Sequence, residues 1–344
     1  VPRPLARAAK RLSTGAVWLV FLTGRRMAGD KAALVAAALA AVSPYQLYYS
    51  HVFRYPALAI LTGALAVHLY SEIVFGRRRC MAAPFALVCA AALYTHYYFV
   101  FLLLFFNVHY LFFARKQCVV RLPMWAAMQV MAAACFAPWL KMFSSQGAKE
   151  LAPMPSAQVI AHLKEMPYKG ILNVSQSFIS GMYPVEGNKA VLALAMLALA
   201  FTAVCIVLAK SDKRQRVFSA VAFLVVFVTP YTMMLLLGLR ILPMYFCFFS
   251  PLFYVIVAQA LAVEGPKAPR GAAAVCVVAL LGVSLPYYAR EVASPRNNEN
   301  TIRYIVEHSR PGDVVVVNPT YQSSMFQYFA PGKLDLFGIP REFD

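Results

Sequence analysis

The chain reads as an all-α polytopic membrane protein of about ten transmembrane helices, followed by a small α/β region outside the membrane. Three observations predict this class: the composition, the spacing of the apolar runs and the placement of basic clusters between them. With 61% hydrophobic and 13% charged residues in 344 and a mean hydropathy of +0.63, the chain has more apolar surface than one soluble domain can bury. The formal charge of +18 does not point to nucleic acid. The basic residues fall in short clusters between apolar runs and make no continuous basic face, a pattern that reports topology.

A hydrocarbon core of about 30 Å takes roughly 20 apolar helical residues. Spans are expected at residues 12–24, 32–48, 56–75, 80–95, 97–114, 122–140, 190–209, 216–237, 241–262 and 271–288. The pair 80–95 and 97–114 is short, with little more than Tyr94 to Tyr97 between its members. Alternate connections carry Arg25, Arg26 and Lys31; Arg77, Arg78 and Arg79; Arg115, Lys116 and Arg121; Lys210, Lys213, Arg214 and Arg216; and Lys267 with Arg270. The positive-inside rule makes these five cytoplasmic. Residues 43–55, 94–97, the long loop 141–189, residues 229–243 and the tail after Pro286 then face outward. Arg3, Arg7, Lys10 and Arg11 also fall outside, against the rule, either as an amphipathic segment on the bilayer or as an ordinary flank. The chain opens on Val1, with little ahead of its first apolar run, and is expected to be a fragment.

Residues 1–289 are expected to form the helical membrane domain, including the loop 141–189, and residues 290–344 the outer α/β region, itself cut short. In that region Thr301 to Ser309 alternates like an amphipathic helix, and Arg310-Pro311-Gly312-Asp313 has turn chemistry. Val314 to Val317 suits a buried strand, Tyr321 to Phe329 a helix and Leu334 to Ile339 a second short strand. In the long loop, Ser156 to Met166 reads as a helix lying along the surface, either a lid or a simple cap on the bundle. The seven cysteines show no zinc spacing.

Arg54, set among Tyr45, Tyr48, Tyr49 and Tyr55 between two long apolar runs, is the residue that most needs a reason. An arginine inside or beside a bilayer core costs about 2.5–3.5 kcal/mol on insertion scales, so it has a partner, a route to water or a task. It is read either as a contact to a lipid-linked phosphate or as an interfacial cation reaching headgroups. Arg240 carries the same cost and the same two readings. His51 and His96 are candidates to line a polar cavity or to ligate a metal, against a plain role as satisfied polar groups near helix ends. Tyr94, Tyr97 and Tyr98 read as interface aromatics or a sugar platform, and His68 and His109 as packing residues.

The order of short motifs resembles the GT-C membrane glycosyltransferases, in the branch related to protein mannosyltransferases and lipid A aminoarabinose transferases. Gly24-Arg25-Arg26 before an Ala-rich span ending in Ser43-Pro44 is similar to that family's Gly-Arg-Arg turn and Ser-Pro-Phe ending. The segment Tyr49-Ser50-His51-Val52-Phe53-Arg54-Tyr55 resembles its Tyr-Ser-Gln-Glu-Ala-Arg-Met-Tyr segment, and Leu93 to Phe99 its Tyr-Thr-His-Tyr-Phe motif. Pro138-Trp139-Leu140, the stretch Arg240 to Pro251, and Arg310 to Asp313 before a valine strand follow in the family's order.

The resemblance implies transfer of a sugar from a polyprenyl-phosphate donor to a lipid, glycan or protein acceptor on the extracytoplasmic side, by inversion where the displacement is direct. It places the protein in a membrane, expected to be the bacterial inner membrane, in contact with membrane lipids. It implies substrate-binding roles for Arg54, Tyr55, His51, His96, Tyr97 and Arg240. The cofactor is left open; a divalent metal would suit the departing phosphate, with His51 and His96 as weak candidate ligands. Two departures stand out. The family's catalytic acid belongs to a first outer loop that would precede Val1, and Val52 replaces its second-loop glutamate. A transporter or flippase is the alternative, though no internal repeat is evident; a non-catalytic assembly subunit is a further one.

Overall fold

A computed structural model describes residues 3–51, 55–150, 177–181, 189–237, 243–293, 298–310, 312–317, 326–327 and 329–338. It divides into two compact units, Val1–Tyr288 and Ala289–Asp344. The first holds α1 (Arg3–Val42), α2 (Pro44–His51), α3 (Tyr55–Val74), α4 (Ala82–Thr95), α5 (Val100–His109), α6 (Leu122–Glu150), α7 (Lys189–Leu208), α8 (Lys213–Leu237), α9 (Ser250–Ala262) and most of α10 (Lys267–Ala293). The protein is an all-α membrane architecture in which the expected apolar runs are helical.

The expectation of about ten spans is not established. Among the described residues five segments are long and apolar enough to cross a membrane: Tyr55–Val74, Tyr97–Ala114, Ala190–Leu208, Pro243–Ala262 and Lys267–Arg290. Arg7–Val42 and Pro44–His51, bent by 55°, are long and apolar enough only when taken together. The segment 79–95 is apolar but short. The helix expected at 122–140 does not end at Leu140; α6 runs on to Glu150, so the connection expected from residue 141 starts as helix.

Within α1 the chain folds back. Gly29 has φ 83° and ψ −178°, a backbone region open essentially to glycine alone. Residues 24 and 33 of a straight helix would be about 13.5 Å apart, yet a methyl group on Gly24 would lie 3.0 Å from the Ala33 Cα. The spans expected at 12–24 and 32–48 are therefore two arms of a hairpin. Pro44 then starts α2 at the bend, where its missing N–H costs little.

Helices in lipid gain little from apolar burial against one another; close packing and hydrogen bonds hold them. The α1 helix packs most extensively on α9 and α3, and small residues are buried along both helices, among them Ala16, Ala36 and Ala40 of α1 and Ala59, Ala64 and Ala66 of α3. Gly63 brings α3 onto the 3-10 turn Pro243–Phe249, where an added Cβ would meet the Phe248 carbonyl at 2.5 Å. A second contact region is aromatic: Tyr110 stacks on Trp125 at 4.1 Å and Tyr70 packs on Phe106 at 4.7 Å. Trp125 Nε1–H donates to Asn107 Oδ1 at 2.8 Å, and the Asn107 amide donates to Gln129 Oε1 at 3.1 Å. These bonds satisfy polar atoms that lipid cannot.

All five basic clusters gather at one end. Arg26 donates to the two oxygens of Glu72 at 2.6 and 3.1 Å, and Arg78 approaches the same carboxylate at 3.2 Å. Arg79 Nε contacts Met124 Sδ, the Cys118 thiol reaches the Ile73 carbonyl, Lys210 N–H donates to the Glu264 carbonyl and Arg270 donates to the Val263 carbonyl. Glu72, with 7% of its side chain exposed, thus ties two of the clusters together.

In the second unit, α11 (Asn298–His308) is the amphipathic helix expected near 301–309. The Asp313 carboxylate accepts from Arg310 N–H at 2.8 Å and Gly312 takes φ +94°, which makes the expected turn. Strands β1 (Val314–Val317) and β2 (Asp335–Gly338) pair in parallel, Val314 opposite Asp335 and Val317 opposite Gly338. The expected burial of the valine strand is not met: Val314 and Val316 are exposed and only Val317 is buried, so the side chains alternate. The helix expected at 321–329 falls mostly outside the described residues.

Candidate functional site at the tyrosine end

Opposite the basic clusters, polar and aromatic side chains collect from α2, α3, the α4–α5 junction, the turn Pro243–Phe249 and the end of α10. The described piece of the long loop at residues 177–181 packs into this end; the helix expected at Ser156 to Met166 lies outside the described residues. Phe178 is fully buried against Tyr45 and Phe253, at ring separations of 5.2 and 5.4 Å. Its carbonyl accepts from Ser43 Oγ–H at 2.6 Å, and the Tyr254 hydroxyl reaches both Ser43 Oγ and that carbonyl at 2.9 Å. Gly181, at φ +65°, passes so close that a Cβ there would fall 2.8 Å from Pro44 Cβ. Tyr45 in turn donates its hydroxyl to the Pro243 carbonyl at 2.9 Å. The bend at Ser43-Pro44 is thus fixed by three chain segments far apart in sequence.

On this platform sits an aromatic stack centred on His96. Tyr55 lies against the imidazole at 4.8 Å and Tyr97 at 5.1 Å, both nearly parallel to it, with Tyr245 at 5.7 Å. His96 is the residue at which α4 gives way to a 3-10 turn, Tyr97–Phe99. Its Nδ1 accepts from the Tyr98 backbone N–H at 3.3 Å. Burial pushes the imidazole down to about 4, so the ring is neutral at ordinary pH. An Nδ1 that accepts leaves the proton on Nε2, where it is a hydrogen-bond donor.

The Tyr55 hydroxyl and the Gln46 side-chain Oε1 are buried with no hydrogen-bond partner among the described residues. Each would cost about 1–3 kcal/mol unless a ligand or water completes it. Tyr49, Tyr97, Tyr245 and Cys247 all lie within electrostatic range of the Tyr55 hydroxyl. This end therefore presents hydroxyl groups, a neutral imidazole and flat rings, a chemistry suited to a polyhydroxylated ligand.

Of the six residues expected in the site, the structure brings Tyr55, His96 and Tyr97 into one stack. His51 is at the same end but exposed: its Nδ1 lies 2.8 Å from the Leu47 carbonyl and 3.3 Å from the Tyr288 hydroxyl, and no described contact joins it to His96. Arg54, Arg240 and Val52 lie outside the described residues. In sequence Arg54 directly precedes Tyr55, and Arg240 stands three residues before Pro243. Tyr94, expected at the interface, is half exposed, and its hydroxyl donates to the Cys135 carbonyl at 2.7 Å one turn before Pro138.

Sequence reasoning missed Tyr245, Gln46, Ser43, Phe178 and Tyr254. Only Ser43 had a local signal, its place before Pro44. Sequence reasoning also passed over Glu72, although a carboxylate in an apolar run carries the same cost that singled out Arg54.

A divalent metal does not fit the described residues. No group of three or more His, Cys, Asp and Glu among them could hold one, and all seven cysteines are free and separate. No carboxylate with a described position contacts the tyrosine-end cluster.

No family model matches the chain, and no curated protein matches it. Among solved structures it is similar to the Archaeoglobus fulgidus oligosaccharyltransferase in complex with Zn and sulfate, at 15% identity and a TM-score of 0.49. The alignment covers 98% of this chain and 47% of that one, so this chain spans about half of that protein's length. A likeness at that level assigns neither activity nor ligand here.

Proposed function

We propose that the protein is an integral membrane glycosyltransferase of the GT-C type that takes a polyprenyl-phosphate-linked sugar and passes it to an acceptor on the extracytoplasmic side. The observation that carries this reading is the stack of Tyr55, His96 and Tyr97 with a buried, unpartnered tyrosine hydroxyl, set opposite the end where the basic clusters meet. The positive-inside rule makes the basic end cytoplasmic and the tyrosine end outer. A bacterial inner membrane is the setting that fits.

In this reading Tyr55 O–H and His96 Nε2–H donate to sugar hydroxyls while the Tyr97 and Tyr245 rings flank the sugar faces. Arg54 and Arg240, adjoining the cluster in sequence, neutralise the carrier phosphate as it departs. No carboxylate among the described residues contacts this cluster, so the base that takes the acceptor proton is left unassigned; inversion follows from direct displacement.

The test is binding of a fluorescent C55 polyprenyl monophosphate to the protein in nanodiscs, with and without an attached hexose. The wild type should bind saturably, and Arg54→Ala should weaken binding about 10- to 100-fold, the worth of a charge-assisted contact. Tyr55→Phe should weaken the hexose-bearing probe and leave the bare carrier unchanged. Equal binding by wild type and Arg54→Ala would remove the carrier from this end. Movement of the probe between leaflets without transfer of its sugar to any acceptor would favour a flippase.

A further inference from the structure

A cavity lies at the basic end, away from the tyrosine cluster. It measures about 330 Å³ and opens between α8 and the far end of α5, where the α-helix gives way to a π-helical turn, Tyr110–Ala114. Lys213 and Arg214 line one wall, while Phe112 and Phe113 line the other. The two phenylalanines belong to the membrane-crossing segment Tyr97–Ala114 and are 75% and 50% exposed, so in a bilayer they face lipid. The π turn adds a residue to the helical repeat and swings its side chains away from the α-helical register, which is how both rings come to line one opening.

Neither cation is held in an ion pair among the described residues: those pairs join Arg25 to Asp30 and Arg26 and Arg78 to Glu72. Asp212 also lines the cavity and opposes an anion there, but the two cations outnumber it and Arg115, Lys116 and Arg216 stand nearby in sequence. His109 forms part of the floor, with its Nδ1 already held by the Tyr70 hydroxyl at 2.7 Å.

We infer that this cavity binds the phosphate headgroup of an anionic phospholipid, with Lys213 and Arg214 on the phosphate and an acyl chain running along Phe112 and Phe113. A soluble phosphate would satisfy the cations but leave the two rings without a purpose. A zwitterionic lipid would cover the rings and neutralise its own phosphate. Only an anionic lipid uses both walls, and it meets them at the membrane surface where the basic clusters place the headgroup region.

The test is thermal unfolding of the protein in neutral detergent with added dioleoyl-phosphatidylglycerol, dioleoyl-phosphatidylcholine or water-soluble glycerol phosphate. Wild type should show a saturable rise in Tm with phosphatidylglycerol and none with the other two. Lys213→Gln/Arg214→Gln should need at least about fivefold more phosphatidylglycerol, whereas a charge-matched control at the same end, Lys31→Gln/Lys267→Gln, should behave as wild type. Lys213→Arg/Arg214→Lys keeps the charges and should restore the response, which guards against a misfolded double variant. An equal response to phosphatidylcholine, an equal response to glycerol phosphate, or an unchanged response in Lys213→Gln/Arg214→Gln would each overturn the assignment.

Discussion

Replacing Arg26 should be among the most damaging single changes at the basic end. Glu72 keeps only 7% of its side chain in contact with solvent, whereas Arg26 and Arg78 keep 35% and 57%. Removing Arg26 leaves a buried carboxylate with the single 3.2 Å contact to Arg78. Stranding one member of a buried pair costs about 3–5 kcal/mol, and the surviving partner trims this to about 2–4. Arg26→Gln is expected in that range. Glu72→Gln strands nothing, since both guanidinium groups can hydrate, and should cost only about 1–2 kcal/mol. Arg78→Gln removes the longer and more exposed contact and should fall below about 1 kcal/mol. The sharpest consequence is non-additivity: Arg26→Gln/Glu72→Gln should be more stable than Arg26→Gln alone, because the stranded charge is gone. The assay is unfolding by sodium dodecyl sulfate titration in mixed micelles, followed by far-UV circular dichroism. A double variant no better than Arg26→Gln, or an Arg26→Gln as mild as Arg78→Gln, would refute the reasoning.

Three further outcomes follow from single positions. Tyr55→Phe removes a buried hydroxyl with no partner, so its unfolding midpoint should be unchanged or slightly raised even as binding of a sugar-bearing carrier weakens; a marked loss of stability would show that the hydroxyl is satisfied. Gly63→Ala forces a methyl to within 2.5 Å of the Phe248 carbonyl and should cost about 1–3 kcal/mol in the same titration, with no loss expected for Gly271→Ala, where a Cβ meets nothing within 4 Å. His96 lies between the apolar segments ending at Thr95 and starting at Tyr97, and burial lowers its imidazole from 6.5 to about 4. The unfolded chain therefore takes up a proton below about pH 6.5 that the folded protein refuses until about pH 4, so stability is full above neutrality and falls across that window by up to roughly 3 kcal/mol. His96→Gln should flatten that part of the stability–pH curve, and an unchanged curve would show that His96 stays solvated.

The helices and the two chemically distinct ends were legible in the chain because each is written in consecutive residues. Long apolar runs make helices whatever surrounds them, and basic clusters between them mark one end. The turn Arg310 to Asp313 and the strands at 314–317 and 335–338 were legible for the same reason. Span ends were less so. The α6 helix passes through Pro138 and continues to Glu150, since a proline inside a helix can be tolerated where a neighbour supplies hydrogen bonds, and Tyr94 O–H reaches the adjoining Cys135 carbonyl.

What the sequence determined by itself was therefore local: helix, turn, strand, and which residues are too costly in lipid to lack a purpose. The tertiary structure decided the partners. Glu72 meets Arg26 across 46 positions, Tyr45 meets Pro243 across 198, and Tyr254 meets Ser43 across 211. No periodicity encodes such pairings, because they depend on how the helices cross, and small residues such as Gly63 set how closely they approach. Costly residues in the chain pointed to a site; only the packing showed that Tyr55, His96 and Tyr97 share one stack while His51 stands exposed beside Tyr288.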